Sequence, residues 1–333
     1  MTKPLPASPI TPTIPLDSPG VQHGQLHLPY SRDDSAYGAI LIPISVVANG
    51  NGPTVLLTGA NHGDEYHGPL ALTKLVNSID VAEVTGRIIV VPFMNHPAFT
   101  GAARNSPIDG ANLNRVFPGS PTGGVTQKIA DYMTRYLLPI SDAVLDIHDG
   151  GKTLEFLSMA ASHVMDDKVA EARNWEAALA FGAPYVTKLV ELDMLGMWDA
   201  VVENSGTPFL STEISGGGTT RPSSMKVTVD GVRNVLQHWG VLAGDPTPAT
   251  SVVLDIPEND AYLISEDEGL LEWLVELGDS VVAGQPVAQI YDTVKLGRTP
   301  IEVSATIDGL VAMRHFPGLI KRGDAIAMQA RVA

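Results

Sequence analysis

The sequence predicts an α/β protein, with a mostly parallel sheet flanked by helices and a smaller C-terminal β domain behind it. Three observations carry this prediction. Short apolar runs (Val55-Leu56-Leu57, Arg87 to Phe93, Ala143 to Ile147, Pro208 to Thr212) alternate with stretches of helical spacing. Runs apolar on both faces suit strands covered by helices on either side. Beyond the linker Gly244 to Thr250 the composition changes to a glycine-punctuated repeat.

The elements follow in order. Gln25-Leu26-His27-Leu28 alternates like a half-buried strand. Ile40 to Ile44 reads as a second strand, and Pro43 places it at a sheet edge. Val55 to Leu57 leads into the loop Gly59 to Gly68, and Pro69 to Val76 reads as a helix with proline in its first turn. Arg87 to Phe93 is a buried strand, and Asn95 to Gly124 a long loop. Thr126 to Leu138 reads as an amphipathic helix with Ile129, Met133, Tyr136 and Leu137 on one face, stopped by Pro139. After the strand Ala143 to Ile147, Asp167 to Phe181 is a helix closed by Gly182. The strand Pro208 to Thr212 precedes a helix from Met225 to Trp239, closed by Gly240. In the tail, Glu268-Gly269-Leu270 matches Asp308-Gly309-Leu310, and Gly284-Gln285-Pro286-Val287 matches Gly323-Asp324-Ala325-Ile326. The division is therefore a main α/β domain over 1–243, with N-terminal strands in 1–50, and a pseudo-symmetric barrel or sandwich over 251–333.

Composition bounds the chemistry. The 333 residues contain no cysteine, so any metal must sit on His, Asp or Glu. The formal net charge of −16 makes the chain a poor ligand for nucleic acid. That charge reads first as solubility in a salty cytosol, and second as steering of a cationic substrate. Met1 to Pro15 is proline-rich without an apolar signal core. No run reaches the roughly 18–20 apolar residues of a membrane span. A soluble, cytoplasmic protein with no membrane or nucleic-acid partner is expected. A homodimer is left open, as is packing of residues 1–20 on a neighbouring subunit.

The strongest local signal is Gly59-Ala60-Asn61-His62-Gly63-Asp64-Glu65. His62 and Glu65 stand three apart in a tight turn after a buried strand, so both can face one ion. A catalytic zinc needs a third protein ligand, and His148 closes the strand Val144 to Ile147. His62, His148 and Glu213 all lie at carboxyl ends of strands, where sites form in open α/β sheets. A packed histidine remains the competing reading for each alone. Glu213, followed by glycines, suits a general base for the attacking water, or alternatively a cap or ion-pair partner. Arg104 and Arg115 lie in a Gly/Pro-rich loop. One could clamp a substrate carboxylate and the other an oxyanion; surface ion pairs are the alternative. His67, His96, His163, His238 and His315 have no partner at ligand spacing and read as structural or exposed.

The ordered set Gly59-x-x-His62-Gly63-Asp64-Glu65, Asn95-His96-Pro97-Ala98, Arg104, Asn112-Leu113-Asn114-Arg115, Asp146-Ile147-His148 and Glu213 resembles the succinylglutamate desuccinylase/aspartoacylase family. These are relatives of the zinc carboxypeptidases, and the resemblance covers roughly residues 50 to 333. It implies a zinc-carboxypeptidase-like fold and one Zn2+ per subunit on His62, Glu65 and His148. It also implies Glu213 as base, Arg104 polarising the scissile carbonyl, and Asn114 and Arg115 holding the carboxylate of an N-acyl amino acid. Leu28 to Ala36, Asn61 to Gly68, Ser106 to Asp109 and His148 to Leu154 more narrowly resemble members acting on Nα-acetyl-L-2,4-diaminobutyrate in ectoine degradation. Asp149 departs from that pattern, which has a small neutral residue there. The ammonium of such a substrate makes Asp149 or Glu155 the expected acidic partner near the zinc.

Two other classes compete. A metallocarboxypeptidase would share the ligands and the Asn-Arg clamp but would not need the trailing β domain, which the resemblance implies closes over the site. A biotinyl or lipoyl carrier would resemble Gly278 to Gly309, with Lys295 near the modified position. Asp292-Thr293-Val294-Lys295-Leu296 does not match the tip of such a hairpin, so this reads as fold similarity alone.

Overall fold

The central strands are apolar on both faces, and alternate residues feed two different cores. The computed structural model describes residues 5–189, 195–257 and 260–333. Met1 to Pro4 of the proline-rich terminus lie outside the described residues. The first strands are β1 (Thr11–Pro12), β2 (Gly20–Pro29), β3 (Ala39–Asn49), β4 (Thr54–Gly59), β5 (Gly86–Val91) and β6 (Ala143–His148). There follow β7 (Leu154–Phe156), β8 (Met159–His163), β9 (Tyr185–Leu189) and β10 (Phe209–Glu213). Their order across the sheet is β1-β2-β3-β5-β4-β6-β10-β8-β9. Neighbours from β5 through β10 run parallel, whereas β8 is antiparallel to β10.

Leu56, Ile89 and Val144 turn to one face, and Val55, Leu57, Ile88, Val90 and Leu145 to the other. The first face packs on helices α3 (Val125–Tyr132) and α5 (Trp198–Asn204) through Ile129, Trp198 and Val202. The second packs on α1 (His67–Ser78), α4 (Lys168–Phe181) and α6 (Pro222–His238) through Leu72, Ala177, Val232 and Val235. Asp167 caps α4 by accepting from Val169 N and Ala170 N, and Gly182 ends it at φ 75°. Among the described residues, no helix is long and apolar enough to cross a membrane.

Three expectations need correction. Pro43 does not mark an edge, because β3 lies between β2 and β5. Its partner Gln25 spends its backbone groups on Thr13 instead, and β5 ends before reaching Pro43, so no ladder bond is lost. The helix from Val125 does not stop at Pro139. It widens into a π turn over Met133–Leu137 and tightens to a 3-10 turn over Leu138–Ile140, where the proline sits at the start. That widening turns Tyr136 outward to stack on Tyr132 at 5.0 Å, while Ile129, Met133 and Leu137 stay buried. Finally, the loop after β5 is structured: it holds α2 (His96–Thr100) and a 3-10 turn over Leu113–Arg115.

The tail forms β11 (Val252–Asp255), β12 (Tyr262–Ile264), β13 (Gly269–Trp273), β14 (Ser280–Val281) and β15 (Pro286–Tyr291). It ends with β16 (Ile301–Ser304), β17 (Gly309–His315), β18 (Leu319–Ile320) and β19 (Ala325–Val332). β13 pairs β15 as β17 pairs β19, and the short strands are exchanged, β14 onto β17 and β18 onto β13. One matched pair of repeat glycines, Gly269 and Gly309, is forced by close approach. A Cβ at Gly269 would meet Tyr291 O at 2.3 Å, and one at Gly309 would meet Ala330 O at 2.3 Å. The two layers share Leu271, Val287, Ile290, Val311 and Ile326. This unit also extends the main sheet, because β11 joins β9 to β19. β7 pairs β17, and buried Glu155 of β7 pairs with Arg314 of β17 (2.8 Å) and with Arg221 at the start of α6 (2.5 Å).

Candidate metal centre

Adjacent parallel strands bring the site together. β4 delivers its following loop beside β6, and the register Glu213↔His148 sets the ends of β10 and β6 side by side. His62 Nδ1 lies 2.6 Å from Glu65 Oε1, and His148 Nδ1 lies 3.0 Å from Glu65 Oε2. All three side chains are buried, and one ligand atom from each lies within 4.8 Å of the others. Two imidazole nitrogens and a carboxylate, converging without cysteine, fit a catalytic divalent site with three protein ligands. His148 Nε2 meets Asp146 Oδ2 at 2.8 Å, and Asp146 also accepts from Thr58 Oγ1 and Asn61 Nδ2. That outer carboxylate fixes the ring so that Nδ1 faces inward.

The electrostatics agree with this geometry. Burial works against a charge on His148, yet the Asp146 and Glu65 carboxylates raise its pKa well above the ordinary value. Burial lowers His62 despite Glu65. Burial also opposes ionisation of Glu65, but His62 and His148 hold its carboxyl far below the usual range. A proton shared among these groups is what a cation would displace. Glu213 behaves oppositely: burial first, then the Glu65 charge, pushes it up to about 8. Its Oε2 is buried with no hydrogen-bond partner among the described residues.

The loops around the site are held under strain. Ala60, Ala102 and Ser215 are non-glycine residues at φ 50°, 45° and 56°. Each stands two residues from a site residue: His62, Arg104 and Glu213 respectively. Left-handed backbone costs such residues about 1–3 kcal/mol each, and it persists where the surroundings enforce it. Gly63, between His62 and Glu65, has no room for a side chain, since a Cβ would stand 2.0 Å from Ala98 C.

A cavity of about 170 Å³ opens over the triad, lined by His62, His148, Glu213, Arg104, Asn114 and Arg115. Arg104 reaches Glu65 Oε1 at 3.5 Å. Asn114 Oδ1 accepts from Trp198 N at 2.8 Å, which turns its amide donor the other way, and Arg115 donates to Asn114 O. Asp149 is a correction. Its Oδ2 accepts from Tyr66 N and His67 N and lies 2.7 Å from His67 Nδ1, while Oδ1 accepts from Gly151 N. Its carboxylate is thus spent on the N-terminus of α1 instead of facing substrate. Glu155 is likewise consumed by Arg221 and Arg314. The sequence reading missed His163 and Asp199, which also line the cavity. The only signal was a histidine closing Met159 to Ser162, a run whose small side chains do not look like a strand.

The chain is similar to known proteins along nearly its whole length. The succinylglutamate desuccinylase/aspartoacylase catalytic-domain model matches residues 51–239. An N-alpha-acetyl-L-2,4-diaminobutyric acid deacetylase of Halomonas elongata is 50% identical over 327 residues, 98% of this chain and 96% of its own. The crystal structure of a succinylglutamate desuccinylase from Silicibacter sp. TM1040 is similar at TM-score 0.97 and 50% identity, covering 99% of this chain and 100% of that one. The product-bound ectoine utilization protein EutE from Ruegeria pomeroyi is similar at TM-score 0.96 and 49% identity, covering 98% and 99%. The matched span holds His62, Glu65, His148, Glu213, Arg104 and Arg115, and the chain belongs to the succinylglutamate desuccinylase/aspartoacylase family.

Proposed function

We propose that the protein is a zinc-dependent amidohydrolase that cleaves Nα-acetyl-L-2,4-diaminobutyrate to acetate and L-2,4-diaminobutyrate, in cytoplasmic degradation of ectoine. The observation that carries the hydrolytic reading is Glu213: a carboxylate oxygen without a partner among the described residues, one strand from His148, facing the same cavity as the triad. The choice of substrate is supported by 50% identity to the Halomonas elongata deacetylase over nearly the whole chain.

Zinc held by His62, Glu65 and His148 would supply Lewis-acid activation of water and carbonyl. With the Glu65 charge offset by the cation that the triad would hold, Glu213 is ionised, and its Oε2 takes a proton from the attacking water and delivers it to the departing amine nitrogen as the C–N bond breaks. Arg104, tethered near Glu65, supplies donors for the carbonyl oxygen as negative charge develops. Arg115 and the Asn114 amide hold the substrate α-carboxylate. A cavity of about 170 Å³ suits a small acyl amino acid better than a peptide.

The test is a panel of N-acetyl, N-succinyl and N-aspartyl amino acids, with a dipeptide control, on zinc-loaded protein. Release of acetate from Nα-acetyl-L-2,4-diaminobutyrate should exceed every other rate. Preferential release of succinate, or cleavage of the peptide, would replace this reading.

A further inference from the structure

Asp149 grips the chain at Glu65 in two places. Its backbone N–H donates to Glu65 Oε2 at 3.3 Å. Its Oδ2 accepts from Tyr66 N, the amide directly after Glu65, at 2.8 Å. These two bonds close a ring that runs through the Glu65 side chain, so the carboxylate cannot swing away without breaking one of them. Asp149 also follows His148, whose Nδ1 lies 3.0 Å from the same Glu65 oxygen. One residue thus ties together two segments whose cluster members, Glu65 and His148, stand 83 positions apart.

Asp149 is itself fixed in place. Its Oδ2 also accepts from His67 N at 3.1 Å and lies 2.7 Å from His67 Nδ1, while Oδ1 accepts from Gly151 N at 2.8 Å. His67 Nε2 lies 2.8 Å from Ser224 Oγ, which bonds back to Arg221 N and O across the first turn of α6. The carboxylate is therefore fastened to the starts of two helices, and Asp149, His67 and Ser224 are all buried. Tyr66, at the N-cap of α1, offers its helix no side-chain bond. Asp149 supplies that cap from another element, and its negative charge suits a helix N-terminus. Capping alone would need only the carboxylate. The N–H on Glu65 adds a second task, because a partner that aims a ligand carboxylate tunes affinity for the metal.

We propose that Asp149 is a positioning residue for Glu65, holding its carboxylate against His148 so that the triad takes up a cation without first ordering itself. This rests on the reading of His62, Glu65 and His148 as zinc ligands. A backbone N–H cannot be deleted by substitution, but its aim can be lost, because the Asp149 side chain anchors the turn that carries it.

Calorimetric titration of zinc into metal-stripped protein tests this, beside thermal melts of the same stripped samples. Asp149→Ala should bind zinc about 10- to 100-fold more weakly than wild type while still folded at the titration temperature. Asp149→Asn keeps an oxygen for Tyr66 N and His67 N but turns an amide donor toward Gly151 N, so its affinity should fall between the two. Both variants lose the same charge, so the gap between them reports geometry and not field. Asp149→Ser, one bond shorter than aspartate, replaces alanine if that variant does not fold. A lower melting temperature with wild-type zinc affinity would leave Asp149 a helix cap only and overturn the proposal. So would unchanged melting with unchanged affinity, or an equal loss of affinity in both variants. If wild type takes up no zinc, the metal reading falls together with the proposal; in every other contrary result the positioning role falls alone.

Discussion

His148 points Nε2 at Asp146 Oδ2, 2.8 Å away, from a position two residues further along the same face of β6. The strand period alone creates this pair, because alternate residues share a face. The contact orients the ring that offers Nδ1 to Glu65. Asp146→Asn should weaken zinc affinity about 10- to 100-fold, the usual cost of losing an outer carboxylate partner. Competition against a chromophoric chelator measures this, and an unchanged affinity would remove Asp146 from the account.

Glu213 is given the role of proton carrier, not ligand. Glu213→Gln should retain zinc at wild-type stoichiometry while turnover falls about 10²- to 10⁴-fold. Metal analysis and acetate release on the same sample separate the two effects. Loss of zinc from this variant would reassign Glu213 as a ligand.

The same residue predicts a pH dependence of the metal-stripped protein. Its folded pKa of about 8 lies above the ordinary 4.5, so between those values the folded state holds a proton that the unfolded chain has released. The stability from that proton is complete below 4.5 and is lost as pH rises through about 8. Glutamine, always neutral, lacks this loss. Thermal melts of stripped wild type and Glu213→Gln should therefore diverge as pH rises across that window, with wild type falling. Parallel curves would contradict the burial argument.

Gly63 lies between His62 and Glu65 and against α2. A methyl there would meet Ala98 C at 2.0 Å and Phe99 N at 2.2 Å, both backbone atoms that cannot swing aside. Gly63→Ala should cost at least about 1–3 kcal/mol and displace His62 from Glu65. Chemical denaturation and zinc content should both drop; a variant that keeps both would mean the loop is softer than its contacts imply.

Much of this was legible in the sequence. Val55 to Leu57, Ile88 to Val91 and Val144 to Ile147 are buried strands, as their apolar runs predict, and His62, Glu65 and His148, singled out by their motifs, come together in a cluster that could hold a metal ion. The glycine repeat reappears as β13-β15 and β17-β19 with exchanged short strands. What was hidden depends on three-dimensional pairing. Pro43 sits in an interior strand because its neighbour β5 ends first, which composition cannot report. β8 is built from Met, Ala, Ala, Ser and His, with little of the β-branched signature, so His163 gave no cue that it lines the cavity. Asp149 looked like a site acid from its place beside His148, but the fold turns it onto the start of α1.

The most direct test of the central claim is a zinc titration of metal-stripped protein, followed by acetate released from Nα-acetyl-L-2,4-diaminobutyrate. Turnover should rise linearly and stop at one zinc per chain, and His148→Ala should show no such rise. Full turnover in the stripped protein, or the same titration curve in His148→Ala, would contradict a zinc centre at His62, Glu65 and His148.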